Sequence, residues 1–183
     1  MVDKVNGDVL DFYTTITGDS TGLGKLLEKV PGLSGYMERG RRRDADQLLR
    51  DTITARLNDV RLELGTVSHD LARDMAQAVE YAEDLGRADT QLMGLLSKIK
   101  DAPQGYAGFF DAIKVKEEDL ARLYQFDELM LNYTDQISAD VSALKKAVAD
   151  EGDIRGTIRD LNNDLREANQ TFNSRQEVLN KVK

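Results

Sequence analysis

Cysteine and tryptophan are missing from this chain of 183 residues, proline occurs twice and histidine once. Without cysteine there is no disulfide framework, zinc–thiolate site or thiol nucleophile, and redox logic sets no compartment. The single histidine, His69, excludes the paired Glu-x-x-His ligands of a ferritin-like di-iron site. Thr66 stands three residues before it and no nucleophile pattern lies near, so His69 reads as a polar flank of a helix stripe. No Ser-His-Asp or lysine-based arrangement can be assembled either. No apolar run approaches the ~20 residues of a membrane span. The N-terminus MVDKVNGDVLDF lacks a secretory apolar core. The expectation is a soluble cytoplasmic protein.

Negative charge is in excess, at a net −8, which opposes general nucleic-acid binding through phosphate neutralisation. The charge is uneven. Lys25, Lys29, Arg39, Arg41, Arg42 and Arg43 outweigh Glu28 and Glu38, giving Gly22–Arg43 a charge of +4 and leaving −12 for the remainder. What the chain has in quantity is helix-forming material, 40% hydrophobic and 32% charged, as long exposed helices require.

Residues 1–21 carry a weak pattern that suits a short helix or an extended segment. Gly18–Lys25 has glycines and a lysine but not the spacing of a phosphate loop: five residues separate Gly18 from Gly24, and Leu26 follows Lys25. Leu23, Leu26, Leu27 and Val30 give a short amphipathic helix ended by Pro31-Gly32. With the basic cluster after it, this segment suits an anionic lipid surface or an acidic partner. The competing reading closes the apolar face onto the rest of the fold and pairs the arginines with Glu38, Asp44 and Asp46.

From about Arg41, Leu57, Val60, Leu64, Val67, Leu71, Met75, Ala78, Ala82 and Leu85 step by three and four residues, with one stutter at Leu71–Met75. This predicts a helix over 41–84 and a stop at Gly86, or a single helix on to Lys100. Leu92, Leu95, Leu96 and Ile99 continue the stripe. Asp101-Ala102-Pro103-Gln104 has the form of a helix start. The apolar residues beyond it, Tyr106, Phe109, Phe110, Ile113, Tyr124, Phe126 and Tyr133 among them, spread over half a helix circumference. That width calls for at least two neighbours, so this stretch is the expected core organiser. Ile137, Val141, Leu144 and Val148 form a narrower stripe. Glu151-Gly152-Asp153 reads as a stop and a new cap, and Ile154, Ile158, Leu161, Leu165, Ala168 and Phe172 mark a last helix.

GYAGFFDAIKVKEEDLARLYQFD, residues 105–127, resembles a stretch shared by a group of small, all-helical bacterial proteins: Gly-Tyr-x-Gly-x-Phe-Asp, Lys-x-Lys-Glu-Glu, then Leu-Tyr-x-Phe-Asp. The resemblance spans about residues 99–131. It implies an all-helical fold and carries no catalytic residue. The plan of an N-terminal amphipathic segment before long helices is also similar to phage-shock/ESCRT-III-like scaffolds, which implies a peripheral membrane role at the inner face of the membrane.

The sequence thus predicts an all-α protein: residues 1–40 as an N-terminal segment, and 41–183 as an elongated antiparallel bundle of three or four helices with coiled-coil-like seams. The expected function is that of a non-enzymatic interaction or scaffold protein without cofactor, bound to a protein partner or to itself. A regulatory module holding a small ligand near Phe109 and Tyr133 is a further alternative.

Overall fold

Heptad-spaced apolar residues, few prolines and abundant Ala, Leu, Glu, Lys and Arg leave helix as the economical way to satisfy this backbone. The computed structural model describes residues 22–33, 42–102 and 117–180, the side chains of 22–25, 42–43, 117–123 and 175–180 excepted. Among the described residues all regular structure is helical, without a strand. The described residues form five α-helices in order: α1 Gly22–Lys29, α2 Arg42–Leu71, α3 Met75–Asp101, α4 Glu117–Ala149 and α5 Ile154–Asn180. No described helix is long and apolar enough to cross a membrane. The chain divides into two units, one of residues 1–52, 103–129 and 175–183, the other of 53–102 and 130–174.

In the first unit, α1 runs into a turn in which Val30 N–H donates to the Leu26 carbonyl at 3.0 Å and Leu33 N–H to the Val30 carbonyl at 3.3 Å. Gly32 sits at φ +91, and a Cβ there would stand 3.4 Å from Leu48 Cδ2. The left-handed backbone makes this a glycine position. Leu26, Val30 and Leu33 are buried, as are Ala45, Leu49 and Tyr124. Asp46 and Arg50, one turn apart, pair at 3.0 Å although both are buried.

In the second unit each helical segment buries residues at alternating three- and four-residue steps. Ile53, Leu57, Val60, Leu64, Val67 and Leu71 do so on α2, and Leu85, Ala88, Leu92, Leu95 and Ile99 on α3. Ile137, Val141 and Leu144 continue the rule on α4, and Ile154, Ile158, Leu161, Leu165, Ala168 and Phe172 on α5. Polar contacts give the neighbours and their directions. Arg61–Asp89 joins α2 to α3 across an antiparallel hairpin, and Tyr133–Glu167 joins α4 to α5 across another. Between hairpins the order is parallel: Arg56–Asp135 and Glu63–Lys145 advance together along α2 and α4. Arg155–Glu80, Asn162–Gln91 and Asn169–Lys98 advance together along α3 and α5. The antiparallel relation is therefore one within hairpins.

Two expected boundaries move. The long helix breaks at Ala72–Asp74, and Gly86 lies inside α3. Asp74 caps the new start, accepting from Ala76 N–H at 2.8 Å and Gln77 N–H at 3.2 Å. A glycine inside a helix costs about 1 kcal/mol, much less than Leu85, Ala88 and Leu92 gain by burial around it. Asp101, expected to begin a helix, ends α3, with Ala102 as its C-cap at φ −52, ψ 125. The residue before a proline is pushed from helical to extended backbone, so the Ala-Pro pair stops α3. The expected stop at 151–153 stands where the spacing put it, with α4 ending at Ala149 and α5 starting at Ile154.

Candidate functional site

Much of the basic segment and of the aromatic stretch lies outside the described residues. Arg39 and Arg41 fall there entirely; Lys25, Arg42 and Arg43 have helical backbone with side chains not described. Lys29 is half-buried, and the apolar side of α1 is turned into the protein at Leu26 and Val30 rather than offered outward. Tyr106, Phe109, Phe110 and Ile113 also fall outside the described residues. Of the aromatic set, Tyr124 is buried, and Phe126 and Tyr133 are half-buried. Met130 and Leu131, adjacent in sequence and both buried, widen the packed face of α4 there. His69 is exposed at the end of α2. Among the described residues no group of three metal-ligating side chains comes together.

Sequence periodicity did not mark the most distinctive surface of the second unit. Side chains of α3 and α5 line an open groove of about 480 Å³: Arg87, Arg155, Arg159 and Arg166 with Gln91, Asn162, Asn163 and Asp84. Arg155, Arg159, Asn162 and Arg166 sit at i, i+4, i+7 and i+11 on α5, one face of a helix. A polar ladder that starts in the groove joins α3 to α5. Asn162 Nδ2 donates to the Asp84 carbonyl at 3.1 Å while Asn162 Oδ1 accepts from Gln91 Nε2 at 2.8 Å. One heptad on, Asn169 Nδ2 donates to the Gln91 carbonyl at 3.1 Å and Asn169 Oδ1 accepts from Lys98 Nζ at 3.0 Å.

The arginines differ in how tightly they are held. Arg155 reaches Glu80 at 2.6 Å and lies 6.0 Å from the centroid of the Tyr81 ring. The Glu80 hydrogen bond and charge raise its pKa further, and desolvation raises that of Tyr81. Arg87 pairs within its own helix with Glu83 and Asp84, at 3.0 and 3.3 Å. Arg159 has a 3.3 Å contact with Asp160, the next residue, both side chains well exposed. Arg166 bonds the neutral Asn163 amide at 3.1 Å. Exposed pairs of this kind are worth well under 1 kcal/mol, so an incoming carboxylate exchanges partners at little cost.

A second electrostatic feature lies on the α4–α5 hairpin. Asp140 Oδ2 is buried without a hydrogen-bond donor among the described residues. Burial first, then hydrogen bonding and charge from the Asp164 carboxyl, push Asp140 up to about 6, with Asp160 adding in the same direction and Gln136 opposing. Nothing in this cluster resembles a nucleophile with its base.

Compared with known protein families, curated proteins and solved structures, the chain matches none. Its own geometry must carry the functional argument.

Proposed function

We propose that the chain is a non-enzymatic helical interaction protein, and that the α3–α5 groove is where an acidic segment of a protein partner docks. The observation that carries this reading is the groove lining: four guanidinium groups and three amides against one carboxylate, Asp84, on a chain whose net charge is −8. Guanidinium forks suit carboxylates, and amides supply neutral donors around them. Complementary charge of this kind sets partner choice and encounter rate more than raw affinity. The alternating three- and four-residue steps support coiled-coil-like seams within the second unit, which would hold the groove walls in fixed register. A scaffold of this type presents a surface and transforms nothing.

The test is fluorescence anisotropy with a labelled poly-glutamate peptide at low and physiological salt, using the full chain. Binding that weakens with salt and falls at least ~tenfold in Arg159→Glu/Arg166→Glu is the expected result. Lack of binding at low salt would sink the proposal. So would equal binding of single-stranded nucleic acid, since the lining would then be reading any polyanion.

A further inference from the structure

The two hairpin turns of the second unit are built differently. At the α4–α5 turn, Gly152 N–H donates to the Ala147 carbonyl at 2.8 Å, closing the six-to-one bond of a helix stop, with Glu151 at φ 53. That backbone cannot be continued as helix without rebuilding. The α2–α3 turn, Ala72-Arg73-Asp74, contains neither glycine nor proline nor a positive φ. Its own bonds are helix-like: Ala72 N–H to the Ser68 carbonyl at 3.1 Å, then Arg73 to Asp70 and Asp74 to Leu71, each at 3.2 Å. The break falls at Asp74 alone, whose backbone is extended at φ −102, ψ 117 and whose side chain caps Ala76 and Gln77 to mark a new helix start.

The apolar stripe ignores this turn. Leu71, Met75, Ala78, Ala82 and Leu85 keep three- and four-residue steps through it, yet α3 buries nothing before Leu85. Met75 and Val79 are 80% and 77% exposed. A groove of about 350 Å³ runs beside them, lined by Leu71, Ala72, Ala78, Ala82, Leu85 and Gly86 among others. Glu80 meets Arg155, the second residue of α5, so residues 75–79 project past the start of that helix. Among the described residues nothing covers the Met75 and Val79 part of this face.

We propose that the Ala72–Asp74 turn is a hinge through which two copies of this chain exchange helices. In the exchanged form Ile53–Asp101 is one continuous helix of roughly 70 Å, and residues 53–71 of each copy pack on the α3, α4 and α5 segments of the other. The contacts that residues 53–71 make with the other segments of the second unit, Arg61–Asp89, Arg56–Asp135 and Glu63–Lys145 included, are remade between copies. The partner is thus complementary by construction, the usual low-cost route to a swapped dimer. Straightened hinges also bring the Leu71–Ala82 stripes of the two copies side by side, covering Met75, Ala78 and Ala82. The Ala76 and Gln77 N–H groups, freed from Asp74, bond the carbonyls of Ala72 and Arg73 as in any helix.

Sedimentation of the full chain across concentration, before and after refolding at high concentration, reads the dimer. The closed form alone needs the Asp74 cap, so Asp74→Ala raises the dimerisation constant by about fivefold per hinge. Arg73→Gly penalises the continuous helix and lowers it by a similar factor. An Arg61→Cys/Asp89→Cys chain treated with a short bis-maleimide identifies the topology: exchanged dimers cross-link between chains, closed chains within one. Circular dichroism confirms that each variant is folded. If wild type and Asp74→Ala both stay monomeric at all concentrations, the proposal fails. A dimer that cross-links only within chains overturns it as well, and if the cysteine pair does not fold, the opposed shifts of the two hinge variants decide the matter.

Discussion

Asn162 and Asn169, one heptad apart on α5, make the same pair of contacts with α3. Each donates to a backbone carbonyl, of Asp84 and of Gln91, and each accepts from a side chain seven residues beyond that carbonyl, Gln91 and Lys98. A single register satisfies both rungs. A slip by one turn would break both rungs and leave each amide only the bond to its own helix, at the Ile158 and Leu165 carbonyls, at about 1 kcal/mol per lost bond.

Removing one rung tests this. Asn162→Ala and Asn169→Ala should each lose about 1–2 kcal/mol of stability in urea titrations. Because Gln91 serves both rungs, the double variant should deviate from additivity by more than about 0.5 kcal/mol. Strict additivity would mean that the rungs act separately.

The Asp140–Asp164 pair sets a pH dependence with a definite sign. Asp140 titrates at about 6 in the folded protein, against ~3.9 for a free aspartate. A raised carboxyl pKa favours folding while protonated, so the contribution is complete below about pH 4 and is lost as pH rises through 6. After discounting for partial exposure, Asp140→Asn should recover about 1–2 kcal/mol at pH 7.5 and nearly nothing at pH 4. Parallel stability profiles for the two proteins across that window would contradict the assignment.

Glu151 occupies a left-handed position, φ 53, at the end of α4. Side chains with a Cβ are strained there, and glycine is the residue such helix ends favour. Glu151→Gly should therefore raise stability by up to about 1 kcal/mol despite added freedom in the unfolded chain. A lower melting temperature would count against this reading of the turn.

Gly156 has the opposite character. Its N–H bonds Asp153 Oδ1 at 2.8 Å, and a Cβ at Gly156 would run into the Asp153 carboxylate. Gly156→Ala thus gains helix propensity but displaces the cap, a net loss of about 0.5–1 kcal/mol. Calorimetry of Gly156→Ala beside Asp153→Ala checks this, since both lose the same cap and their double variant should add little.

Periodicity found helical stripes and most of their buried residues, but neither the break at Ala72–Asp74 nor the helix end at Asp101. Leu57 through Leu71, Leu92 through Ile99 and Ile154 through Phe172 read as stripes because burying one helix face requires a residue every three or four positions. Met75, Ala78 and Ala82 satisfy the same rule and are not buried. Periodicity records that a face is apolar, and only the folded chain records whether something covers it. The arginine groove was illegible for a related reason. Arg87 on α3 and Arg159 and Arg166 on α5 are ordinary exposed positions in their own helices, and they become a lining only when the two helices stand side by side.

The sequence by itself determined an all-helical chain without thiol or ferritin-like metal chemistry, the stripe on each helix, and the stop at Glu151–Asp153, because these follow from residue chemistry within a turn or two. Tertiary structure decided that the first long stripe folds back at Ala72–Asp74 and that Gly86 stays helical. It also decided that α3 and α5 run parallel with four arginines in one groove. Those outcomes turn on which helix face buries which, a balance of contacts distant in sequence that no local pattern contains.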